Sequence, residues 1–129
     1  MKKQKTILVI EDEKVLRKAL VDTLHKNDFA SLEASNGREG VEIALSKNPD
    51  LILLDLLMLE MDGMTALKKI RKDSWGAKVP VIILTNLNPT SEKVVEDVVT
   101  QEPLFYLVKS DWKVHDIVAK IEESLRQNG

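Results

Sequence analysis

The sequence predicts an α/β fold, a parallel five-stranded sheet covered on both faces by helices. Three observations predict it. Short runs of Val, Ile and Leu recur along the chain, each too short for a helix and apolar at nearly every position, as a strand buried on both faces of a parallel sheet must be. Between them lie segments whose apolar residues stand three and four positions apart, the spacing of a helix with one buried stripe. The two kinds of segment alternate strictly, which is the pattern of βα units rather than of hairpins.

The first strand is Thr6 to Ile10, ended at once by Glu11-Asp12-Glu13, and Leu16, Leu20 and Leu24 mark the helix that follows. Phe29 to Ala34 alternates, predicting a weaker strand near the sheet edge, and Val41 and Leu45 mark the second helix. Leu51 to Leu54 is wholly apolar and reads as the central strand; Leu67 and Ile70 follow on a third helix that Asp62 is placed to cap. Val81 to Leu84 is the fourth strand, with Val94, Val95, Val98 and Val99 on the next helix and Thr90 or Ser91 at its start. Leu104 to Val108 is the fifth strand, and Val114, Ile117, Ile121 and Leu125 line a last helix with Asp111 as its expected cap. Pro49, Pro80 and Pro103 each stand just before a strand, where a missing N–H does little harm. Five βα units joined by right-handed crossovers make a three-layer sandwich, with strand order 2-1-3-4-5 expected.

Composition narrows the function. A chain of 129 residues predicts one domain over residues 1–129. With 43% hydrophobic and 31% charged residues it is globular. Its net charge of −2 offers no basic stripe, so no direct nucleic-acid partner is expected. The absence of cysteine excludes disulfides, zinc-thiolate sites and thiol nucleophiles. The apolar run Ile7 to Ile10 is too short for a signal-peptide core or a membrane span, and a soluble cytoplasmic protein with no membrane association is expected. His25 and His115 read as surface residues, Trp75 and Trp112 as packing residues, and Gly37 and Gly40 form no nucleotide-binding fingerprint.

In open α/β sheets ligands bind beyond the carboxyl ends of the strands, where strand order reverses. The residues just past the strands are Glu11 and Asp12, then Asp55, Thr85 and Lys109. Three carboxylates gathered at one edge repel each other unless a cation lies between them. Hard oxygen donors with no His or Cys nearby suit Mg²⁺, and three acids with Lys109 leave a formal −2 that one such ion cancels. Asp55, rigidly held at the mouth of the central strand, is placed to attack phosphorus and form an aspartyl phosphate. Lys109 and Mg²⁺ would then stabilise charge on the phosphoryl oxygens, and the Thr85 hydroxyl would bond one of them.

These residues carry a resemblance. Ile7-Leu8-Val9-Ile10-Glu11-Asp12-Glu13, the segment Asp55-Leu56-Leu57-Met58-Leu59-Glu60-Met61-Asp62-Gly63, and Thr85, Tyr106 and Lys109 in order resemble the receiver domain of two-component response regulators. The resemblance implies a flavodoxin-like (βα)5 fold, Asp55 as phosphoacceptor, and Mg²⁺ held by Glu11, Asp12, Asp55 and the backbone carbonyl of Leu57. It implies a histidine kinase or histidine phosphotransfer protein as donor, and Thr85 and Tyr106 as a switch pair that moves inward on phosphorylation. The surface of the fourth helix, fifth strand and fifth helix would then change, binding an output partner or a second copy. A signalling switch rather than an enzyme is expected. Haloacid-dehalogenase-type hydrolases, which also form an aspartyl phosphate, carry a second Asp two residues past the first, whereas Asp12 here precedes Glu13 and Lys14. An interaction module that has lost phosphate binding is the other alternative, and the intact acids, Thr85 and Lys109 argue against it.

The chain departs from the family at several places. Ser110 replaces the proline that follows the lysine through a cis bond; without proline that isomer costs about 3 kcal/mol. Leu59 and Asn86 replace a proline and a small residue, and Gln101-Glu102-Pro103 replaces a glycine-containing turn. Leu57 and Leu87, two residues past Asp55 and Thr85, stand where the family borders the path of the water that hydrolyses the aspartyl phosphate. Leucines there offer that water no hydrogen bond, so a long-lived phosphorylated state is expected.

Overall fold

The computed structural model describes residues 4–58, 60–87 and 92–128. The strands are β1 (Thr6–Ile10), β2 (Ala30–Ala34), β3 (Leu51–Leu54), β4 (Val81–Thr85) and β5 (Phe105–Val108). The helices are α1 (Lys14–Lys26), α2 (Gly37–Lys47), α3 (Gly63–Lys72), α4 (Glu92–Thr100) and α5 (Val114–Asn128). All five strands pair in parallel, in the expected order β2-β1-β3-β4-β5.

Strand alternation divides the core into two layers, because successive side chains leave a strand on opposite faces. Ile7, Val9, Leu51, Leu53, Ile82, Leu84 and Leu107 form one cluster with Leu20 and Leu24 of α1 and Ile117 and Ile121 of α5. Leu8, Ile10, Ile52, Leu54, Val81 and Ile83 form the other, with Ala44 of α2, Leu67 and Ile70 of α3 and Val98 of α4. Each such side chain contributes about 1.5–3 kcal/mol by leaving water, and the apolar strands are the reason both faces are covered. Phe105 falls on the first face and Tyr106 on the second.

Several expectations are corrected. Leu45 is exposed, and Gly40 and Ala44 form the buried stripe of α2 instead. Val95 and Val99 are exposed too. Leu104 precedes β5 rather than opening it, and is more than a third exposed. Asp62 caps α3 as expected, accepting from the Thr65 amide at 3.0 Å. Asp111 does not cap α5: it ends a 3-10 turn, Lys109–Asp111, and α5 begins only at Val114. Thr90 and Ser91 lie outside the described residues, as does Leu59. No cis peptide bond occurs among the described residues, so Lys109–Ser110 is trans and the chain tightens there into that 3-10 turn. Trp112 and Trp75 pack against the two clusters as expected, and His25 and His115 are exposed.

Candidate functional site

The sheet register builds the site. Ile10 is level with Leu54, and the Asp55 amide donates to the Ile10 carbonyl at 3.1 Å, so Glu11 and Asp55 leave the sheet side by side. Thr85 is level with Val108, which sets Lys109 one residue beyond it. Gly63 brings the far end of the β3–α3 loop back onto the acceptor. A Cβ there would stand 2.0 Å from the Asp55 carbonyl oxygen, so no larger residue fits.

Lys109 is the centre of the cluster. Its Nζ lies 2.8 and 3.0 Å from the two carboxylate oxygens of Glu11 and 2.9 Å from Asp55 Oδ2, and Glu13 Oε2 stands at 3.5 Å. Glu11 and Asp55 are buried and Asp12 is exposed. The second Asp55 oxygen, Oδ1, accepts from the Leu57 amide at 3.1 Å. Burial pushes the Glu11 carboxyl up to about 7, against the bonds from Lys109 and the Glu13 amide, and the charge of Asp55 adds to the rise. Burial also works to lower the Lys109 ammonium, but its bonds to Glu11 and Asp55 and their charges prevail, holding it above the ordinary lysine value. The lysine therefore stays charged between its acids.

One oxygen from each of Glu11, Asp12 and Asp55 lies within 4.8 Å of the others. Three hard oxygen donors around so small a space fit Mg²⁺.

Thr85 is fully buried, and its Oγ1 accepts from the Leu87 amide at 3.2 Å. The Tyr106 hydroxyl donates to the Leu87 carbonyl. Burial first, then the charge of Asp55, raises the Tyr106 phenol above its ordinary value. The two residues expected to act together are thus joined through one backbone unit.

The model of the response regulator receiver domain matches residues 7–122. The chain belongs to that family. This receiver domain is 34% identical over 122 residues to the protein-glutamate methylesterase/protein-glutamine glutaminase of Archaeoglobus fulgidus, covering 94% of this chain and 34% of that protein. It is 33% identical over 88 residues to protein PilH of Pseudomonas aeruginosa, covering 68% of this chain and 73% of that protein. Among solved structures it resembles the receiver domain of sensor histidine kinase PA1611 from Pseudomonas aeruginosa, which has a magnesium ion coordinated in the active site cleft. That match has a TM-score of 0.79 and 26% identity, and covers 97% of each chain. The receiver domain thus spans about a third of the length of the methylesterase. No helix among the described residues is long and apolar enough to cross a membrane.

Two residues of the receiver domain's site were not singled out from the sequence. Glu13 lies within the acidic motif but reaches Lys109 as well, a fourth carboxylate. Arg17 of α1 donates from Nη1 to the Glu11 carbonyl at 2.7 Å. Its only signal is a charge on the first turns of a helix that starts beside the acidic motif.

Proposed function

We propose that this receiver domain is a phosphorylation switch of a two-component system, taking a phosphoryl group onto Asp55 from a phosphohistidine of a histidine kinase or histidine phosphotransfer protein. The observation that carries the proposal is the Lys109 ammonium bonded to both Glu11 and Asp55 at the carboxyl edge of the sheet. A fixed carboxylate beside a fixed cation is what phosphoryl transfer demands, since catalysis there is positioning plus charge stabilisation.

In the transfer, an Asp55 carboxylate oxygen attacks phosphorus as the P–N bond to the donor imidazole breaks. The imidazole nitrogen leaves with the bonding pair and takes up a proton. Lys109 moves from Asp55 Oδ2 to a phosphoryl oxygen, keeping its bond to Glu11. The Thr85 hydroxyl exchanges the Leu87 amide for another phosphoryl oxygen, and Tyr106 follows because it holds the same Leu87. Glu11, Asp12, Asp55 and the Leu57 carbonyl would hold Mg²⁺, a reading supported by the acidic cluster and by the magnesium in the PA1611 receiver domain. When bound, the ion neutralises charge on the phosphoryl oxygens.

The switch passes to the α4–β5–α5 face, where Val95, Val99 and Leu104 are exposed, and which takes an output partner or a second copy. A cytoplasmic location without membrane contact belongs to the same reading, and the net charge of −2, with no basic stripe, supports no direct contact with nucleic acid. Intact-mass analysis after incubation with acetyl phosphate and Mg²⁺ tests the assignment. The wild-type chain should gain one phosphoryl group and Asp55→Asn none; an equally fast gain in the variant would show that another residue is the acceptor.

A further inference from the structure

Arg17 has a bond that the phosphoryl chemistry leaves unexplained. Its side chain is largely covered, with 17% of it exposed. Nη1 donates to the Glu11 carbonyl at 2.7 Å, while Nε reaches Glu33 Oε1 of β2 at 3.3 Å. The turn it meets is otherwise poorly secured at its helix end: Glu13, the N-cap residue of α1, makes no capping bond with its side chain.

The anchoring of Glu11 shows what Arg17 adds. The Glu11 amide donates to the Ala34 carbonyl at 3.0 Å, which ties the residue to β2. Its carboxylate is held by Lys109 and by the Glu13 amide at 3.0 Å. Arg17 supplies the remaining point, the carbonyl, and so fixes the plane of the Glu11–Asp12 peptide. Asp12 depends on that plane. Its carboxylate is exposed, and among the described residues it makes no side-chain hydrogen bond or ion pair. The guanidinium also brings a second positive charge to a turn carrying three consecutive acids.

We infer that Arg17 is a positioning residue for the cation site, presenting the Asp12 carboxylate by pinning the Glu11 carbonyl. The inference rests on the reading that Glu11, Asp12 and Asp55 bind Mg²⁺. Residues that orient metal ligands without touching the metal are worth about 10–100-fold in affinity. The competing role is a mere tie between α1 and β2, made through Glu33.

Isothermal titration of the unphosphorylated protein with Mg²⁺ separates these roles. Arg17→Gln should weaken binding by about tenfold, Arg17→Lys should recover part of the loss by restoring one charged donor to the Glu11 carbonyl, and Glu33→Gln should leave binding within about twofold of wild type. Amide hydrogen exchange in metal-free protein gives an independent readout, with faster exchange at Asp12 and Glu13 in Arg17→Gln alone. Wild-type affinity in a folded Arg17→Gln overturns the inference, as does an equal loss in Glu33→Gln. If Arg17→Gln does not fold, Arg17→Lys against Glu33→Gln makes the same comparison. A wild-type protein that binds no Mg²⁺ overturns the cation reading itself, and the exchange data then decide whether Arg17 orders the turn.

Discussion

The Tyr106 hydroxyl and the Thr85 hydroxyl meet on the two sides of one residue: Tyr106 donates to the carbonyl of Leu87, and the amide of Leu87 donates to Thr85 Oγ1. Movement of either side chain is therefore expected to load the other's hydrogen bond. Tyr106→Phe and Thr85→Val should each cost about 1 kcal/mol of stability in urea unfolding. The double variant should depart from additivity by at least about 0.5 kcal/mol. Strict additivity would mean that Leu87 does not couple them.

Arg71 of α3 is expected to be the costliest charged residue to remove outside the acidic site. Its guanidinium donates to four carbonyls: Gly76 at 2.9 Å, Val79 at 2.6 Å, Gln101 at 2.9 Å and Glu102 at 3.4 Å. Burial works to lower its pKa, against the charge of Glu102. The turn it holds contains Glu102 at φ 50°, a left-handed backbone where a glycine would be at ease. Arg71→Met keeps the stem and loses every donor, so it should destabilise by about 3 kcal/mol as partly buried carbonyls go unpaired. A chemical unfolding midpoint equal to wild type would refute this.

How much of this was legible in the sequence depended on the range of the interaction. Leu51 to Leu54 and Val81 to Leu84 declare themselves because a strand buried on both faces has no polar position. The order β2-β1-β3-β4-β5 and the meeting of Glu11, Asp55 and Lys109 follow from those strands and the rules of parallel sheets. Leu45, Val95 and Val99 misled because helical spacing identifies a stripe without saying how wide the covered part is. Asp111 has the residue type of a cap, but the 3-10 turn that separates it from α5 leaves no trace in residue type. Arg17 and Arg71 were out of reach, since both act on backbone carbonyls, and a carbonyl has no sequence signature.

The α4–β5–α5 face should drive self-association on activation. Val99 is 66% exposed, and Val95 and Leu104 join it. Phe105 is half-buried, with Lys120 Nζ 4.2 Å from its ring centroid, so the apolar excess lies on α4 and Leu104 rather than on the whole strand. In sedimentation, beryllofluoride with Mg²⁺ should shift wild type toward dimer, and Val99→Lys should abolish the shift by placing a charge in the apolar patch. An unchanged sedimentation coefficient for wild type would remove self-association as the output, leaving a different partner for the face.

The lifetime of the aspartyl phosphate is the last expectation, and the structure separates the roles of its two leucines. Leu87 packs its side chain against the core cluster of α2, α3 and α4 while its backbone serves Thr85 and Tyr106. A side chain committed to the core in this way is not expected to screen the acceptor. Leu57 is 51% exposed and its amide bonds Asp55 Oδ1, so its side chain stands free at the rim of the site. Shielding of a phosphoryl group on Asp55 is therefore expected of Leu57 rather than of Leu87. Hydrolysis needs a water held in line with the scissile bond, and an apolar side chain at the rim cannot hold it. Leu57→Asn should speed loss of phosphate about fivefold after donor removal, the rate equivalent of one hydrogen bond of about 1 kcal/mol. Leu87→Glu should instead lower stability by setting a charge against the apolar cluster that Leu87 covers, with little gain in hydrolysis. If Leu57→Asn decays at the wild-type rate, water reaches Asp55 by a path that Leu57 does not border.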